Sequence, residues 1–142
     1  MTTTAPAIEY GQAESIALPY DAAVAATRDA LAAEGFGVLT EIDVRATFKK
    51  KLDVDFRPYV ILGACNPSLA HRALSEETAI GLLLPCNVVV YAGDDPGTSV
   101  VAVLDPEVQL GVTGRDDLKP IAAEVKAKLT RALNAIKAKE TK

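Results

Sequence analysis

The stretch YVILGACNPSLAHRALSEETAIGLLLPCNVVVY, residues Tyr59 to Tyr91, decides how this chain folds. It opens with an unbroken apolar run, 59–64, and closes with a β-branched run, 86–91. Both suit strands, and the first, apolar throughout, suits a strand covered on both faces. Between them Asn66-Pro67 marks a helix start. Asparagine is a preferred N-cap, and proline is tolerated at the first helical position because its missing N–H would have no intrahelical partner there. Leu69, Ala70, Ala73 and Leu74 supply the apolar stripe of a helix running to about Glu77. This strand–helix–strand centre holds both cysteines, Cys65 and Cys86, and an asparagine follows each, Asn66 and Asn87.

Toward the C-terminus, Gly93-Asp94-Asp95-Pro96-Gly97 is turn chemistry and 99–104 is valine-rich, so 86–91 and 99–104 form a hairpin. Asp105-Pro106 ends it. From Leu118 to Ile136, apolar residues recur at helical spacing while Glu124, Lys126, Lys128, Arg131 and Lys137 point away, an amphipathic helix. Toward the N-terminus, 36–44 alternates as a half-buried strand with Phe36, Val38, Ile42 and Val44 on one face. Val44, Phe48 and Leu52 then recur every four residues, a short amphipathic helix whose lysines (Lys49, Lys50, Lys51) face water. The alanine-rich segment 21–34 is helical and capped by Gly35, and 15–18 is a weak first strand ended by Pro19. The order β-α-β-α-β-α-β-β-α predicts an α+β fold: a single two-layer domain, a mostly antiparallel sheet of about five strands with helices packed on one face. The domain spans 9–138, with tails at 1–8 and 139–142.

A chain of 142 residues with 49% hydrophobic and 24% charged residues is long enough to bury one core. A net charge of -4 argues against nucleic acid and anionic membranes as partners, and the 5% aromatic content argues against a large base-stacking platform. No stretch approaches the roughly 18 consecutive apolar residues of a membrane span. The N-terminus MTTTAPAIEYGQ has no signal-peptide pattern, so the expected location is the cytoplasm, with both thiols reduced.

Cys65 carries the strongest chemical signal. A thiol beside a helix start meets unpaired N–H groups and the positive end of the dipole, which can lower its pKa from about 8.5 into the range of about 3.5–7.5. The alternative is a small apolar residue closing a strand. Cys86 lies twenty-one positions on, too far for a C-x-x-C turn, though adjacent strands could bring the thiols together. His71, the only histidine, falls on the polar side of its helix, so a zinc site from Cys65, Cys86 and His71 lacks a fourth ligand, and no metal is assigned. Phosphate-loop, serine-elbow, zincin and calcium-loop patterns are all missing, so no catalytic residue or cofactor is assigned.

Gly63-Ala64-Cys65-Asn66-Pro67, Leu83-Leu84-Pro85-Cys86-Asn87-Val88 and the upstream Glu34-Gly35-Phe36-Gly37-Val38 together resemble the domain of unknown function 302 family. The resemblance runs from about Ser15 to Leu133. It implies a compact α+β domain in bacteria and archaea, a homodimer, and cysteines at the positions of Cys65 and Cys86, with no established activity. The candidate site is therefore Cys65, Asn66, Cys86 and Asn87: a thiol-lined site for redox chemistry or for a small soft or apolar ligand. Two alternatives stand beside it, a structural or partner-binding module with both cysteines inert in the core, and a cysteine-dependent enzyme.

Overall fold

The computed structural model describes residues 5–140. In chain order the elements are β1 (Gly11–Ile16), α1 (Tyr20–Ala33), β2 (Gly37–Asp43), α2 (Val44–Leu52), β3 (Tyr59–Cys65) and α3 (Pro67–Glu76). A 3-10 segment (Thr78–Leu83) leads to β4 (Cys86–Ala92), β5 (Ser99–Leu104) and α4 (Pro106–Gly111), and a 3-10 turn (Asp116–Leu118) leads to α5 (Lys119–Lys137). The strands form one five-stranded sheet in the order β1-β5-β4-β3-β2, with every pairing antiparallel. This is the expected α+β domain.

Local sequence explains most boundaries. Asn66 caps α3 by accepting from Leu69 N at 3.3 Å, with Pro67 at the first helical position. Gly35, at φ +85, ends α1, where Phe36 N reaches back to Leu31 O at 2.9 Å. Beyond α5, the Glu140 carboxylate accepts from Ala17 N at 2.8 Å. The outer parts of the expected tails, residues 1–4 and 141–142, lie outside the described residues.

Alternation in the pleat sorts the sheet into two unlike faces. Val60, Leu62 and Ala64 of β3 meet Cys86, Val88 and Val90 of β4, and this face packs under α1, α3, α4 and α5 as the core. Leu129 and Ile136 of α5 and Leu31 of α1 are almost fully buried against it. The opposite face presents Tyr59, Ile61, Val89, Tyr91 and Ala102, all half-buried. The two tyrosines stack there with centroids 5.2 Å apart and planes 6° from parallel. At one end of this face α2 and the loop after it bring Phe48 and Phe56 against Tyr59.

Four expectations need correction. β1 runs Gly11–Ile16 rather than 15–18, because its register against β5, from Gly11 opposite Leu104 to Ile16 opposite Ser99, overrides weak local propensity. β2 is not a half-buried strand of constant face. It is an edge strand with a β-bulge between Val38 and Thr40, which turns Val38 to the core and Ile42, 48% exposed, to the opposite face. β3 is not covered on both faces, since Tyr59 and Ile61 are covered only in part. Finally, Asp105-Pro106 does more than end β5. Asp105 caps α4 by accepting from Glu107 N at 2.9 Å, and Pro106 occupies the first turn.

Candidate functional site

Both cysteines line one cavity of about 270 Å³ at the end of β3, bounded by α3, the β2 bulge, the entry to β4 and the faces of α4 and α5. No charged side chain lines it. Apolar residues make up most of the wall, among them Leu69, Ala73, Leu110 and Ile121. Leu39, 67% exposed, and Leu74, 36% exposed, stand at its rim. The far end of α3 is fastened by Arg115, whose guanidinium donates to Glu76 O at 3.0 Å and pairs with Asp117.

The two thiols belong to neighbouring strands at the same end of the sheet, where β3 finishes and β4 begins. Cys86 pairs with Ala64, so Cys65 sits one step along β3, with its side chain on the opposite pleat. Both cysteines are free.

Cys86 is 8% exposed, and its Sγ donates to Gln109 Oε1 at 3.4 Å. Gln109, itself 9% exposed, donates through its amide to Leu83 O. Thiol, amide and carbonyl thus form the polar strip of an otherwise apolar wall. Burial pushes the Cys86 thiol up to about 11; nearby Cys65 adds to the rise, and the Gln109 bond opposes it. Burial also raises Cys65. The sequence-based expectation of a lowered Cys65 pKa is therefore reversed. Asn66 caps the helix with its own side chain, and withdrawal from water dominates at the thiol.

A profile described as "Domain of unknown function DUF302" matches residues 12–136. The chain belongs to the DUF302 family. The crystal structure of an uncharacterized conserved protein DUF302 from Bacillus stearothermophilus is similar, at 31% identity and a TM-score of 0.82, covering 91% of this chain and 99% of that one. No curated protein matches. Membership in DUF302 accounts for the architecture and leaves the chemistry to be read from the side chains.

Of the four residues singled out in the sequence of this DUF302 domain, Cys65, Asn66 and Cys86 line the cavity. Asn87 does not: it is exposed on the opposite pleat, across from Gly63. His71 is exposed on α3 and lines a separate surface groove with Arg72, Ser75 and Asp117. Among the described residues no three His, Cys, Asp or Glu side chains are placed to hold a metal ion. No helix among the described residues is long and apolar enough to cross a membrane. Sequence reading missed Gln109, the one buried amide at the cavity. The signal was available, since Asp105-Pro106 repeats the cap-plus-proline logic of Asn66-Pro67 and α4 carries Gln109 inward.

Proposed function

We propose that this protein is a cytoplasmic homodimer that holds a small, uncharged, apolar ligand in the cavity lined by Cys65 and Cys86. The observation that carries this reading is the meeting of both thiols in an apolar cavity without a charged side chain. An engineered apolar cavity of about 150 Å³ already admits benzene, so about 270 Å³ suits a larger ring or a short branched chain. The Cys86–Gln109–Leu83 strip offers such a molecule one neutral polar contact. Ligand binding is favoured over thiol redox because raised pKa values leave little thiolate at neutral pH, and thiolate is the species that exchange requires. An enzyme using Cys65 as nucleophile lacks a base on the cavity wall. One observation favours the packed-core alternative, for Cys86 alone: it is nearly buried and its thiol already has a partner.

The test uses the neutral dye N-phenyl-1-naphthylamine as probe. Its fluorescence should rise on titration into native protein, and the dye should slow methylthiolation of Cys65 by methyl methanethiosulfonate, in which the thiolate takes the SCH3 group as a mixed disulfide and methanesulfinate leaves. Ala70→Phe, on the half-buried rim side of α3, should weaken the dye at least about tenfold while circular dichroism is unchanged. Absence of dye binding, or equal binding by folded Ala70→Phe, refutes the reading. So does Cys65 that reacts only after denaturation.

A further inference from the structure

The sheet face turned away from α1, α3, α4 and α5 has a composition unlike that of a solvated face. An antiparallel sheet with one wet side normally alternates apolar-in with polar-out, and charged residues collect outside. Here every register position on the outer face is uncharged, from Gly11, Ala13 and Ser15 on β1 to Thr40 and Ile42 on β2. The strand charges fall on the helix-side pleat positions instead: Glu14, Glu41, which pairs with Arg28 of α1, and Asp43, opposite Val60 at the end of β2. The β3 sequence reads as a strand covered on both faces, yet this protomer covers only one.

Helix α2 is incomplete in the same way. It has nine residues and none of them is buried. An isolated helix that short is marginal in water unless its apolar stripe packs on something. Leu52 is 64% exposed, Val54 in the following loop is 47% exposed, and Phe56, 40% exposed, lies beside the same sheet face with Phe48 and Tyr59.

We infer that this outer face, with the apolar side of α2 at its margin, is the surface on which a second copy of the chain packs, sheet against sheet about a twofold axis. This names the contact surface of the homodimer proposed above; it does not rest on the cavity, whose dye binding is read separately. Apart from the Arg57 guanidinium, 5.9 Å from the Tyr91 ring centroid, the strand positions of this face bring no charge to it, and a face so poor in charge is complementary to itself, as an isologous contact requires. The size fits. Five strands about 4.8 Å apart and six residues long at about 3.3 Å give a footprint of roughly 480 Å² per protomer. Two such footprints total about 960 Å², close to the roughly 1,000 Å² that a specific interface should clear, and the stripe of α2 adds to it.

Sedimentation velocity of the full chain should give twice the 14.9 kDa protomer mass at micromolar concentration. Val89→Lys, at the centre of the face between Ile61 and Ala102, should weaken association about tenfold or more, since each lysine would be buried without a partner. Ile42→Lys, at a site already half exposed, should do the same and decides the matter if Val89→Lys does not fold. Leu82→Lys, 90% exposed and away from this face, should leave the mass unchanged. A wild type that sediments as a protomer at tens of micromolar overturns the inference. A folded Ile42→Lys that dimerises as tightly as wild type does so too, because the contact would then lie elsewhere.

Discussion

The buried thiol of Cys86 makes stability depend on alkaline pH in a way that can be worked out in advance. Burial pushes its pKa up from the ordinary thiol value of 9.0 to about 11. Below pH 9 both states keep the proton, and the native environment contributes in full. Between those two values the unfolded chain releases the proton while the native protein retains it. Each pH unit in that window removes about 1.4 kcal/mol, so roughly 2–3 kcal/mol is lost by pH 11. Tyrosines and lysines titrate nearby, so the quantity to measure is a difference. Urea unfolding of wild type and of Cys86→Ala at intervals from pH 7.5 to 11 gives two curves. Cys86→Ala should carry a constant loss from the vacated space, and the advantage of wild type should shrink by that amount as pH rises. A difference that stays level from pH 8 to 11 would refute the buried, proton-retaining thiol and the water-poor cavity with it.

Two further substitutions probe the surroundings of the cavity, Gly63 behind its Thr40 and Pro85 wall and Asn66 on its lining. A Cβ at Gly63 would run into Thr40 Oγ1 and come within 2.9 Å of Pro85 Cγ, so Gly63→Ala should destabilise by about 1–3 kcal/mol in thermal melts. Removing the α3 cap with Asn66→Ala should cost about 1 kcal/mol and increase amide exchange at Leu69, whose N–H loses its acceptor; Asn66→Asp should restore most of the loss.

How much of this was legible in the sequence follows from the range of the forces involved. Signals that act within a few residues read correctly: the Asn66-Pro67 helix start, the Gly35 stop, the β4–β5 hairpin, and the apolar stripe of α5 from Ile121 to Ile136. Features set by distant partners did not. The extent of β1 depends on β5, nearly ninety residues away. The face taken by Ile42 depends on a bulge that exists only when β2 is paired with β3. The dipole argument for Cys65 failed for a related reason. It weighed a local helix terminus and had no access to the burial that α3 and the β2 bulge together impose on the thiol. Asn87 was misplaced by treating two Cys-Asn pairs as equivalent, although one asparagine caps a helix and the other points away from the core in mid-sheet.

The bulge in β2 has a consequence beyond the aim of Ile42. An outer strand with free N–H and C=O groups invites further strands, and proteins blunt that invitation with kinks and charges. The bulge between Val38 and Thr40 interrupts one margin of this sheet, and Glu41 and Asp43 follow it. Glu14 puts a charge in the middle of β1 at the other margin. Ribbon-like growth from protomer to protomer is thereby opposed at both margins. For a chain with so much valine in its central strands, those two interruptions are the features that blunt strand addition at the sheet edges.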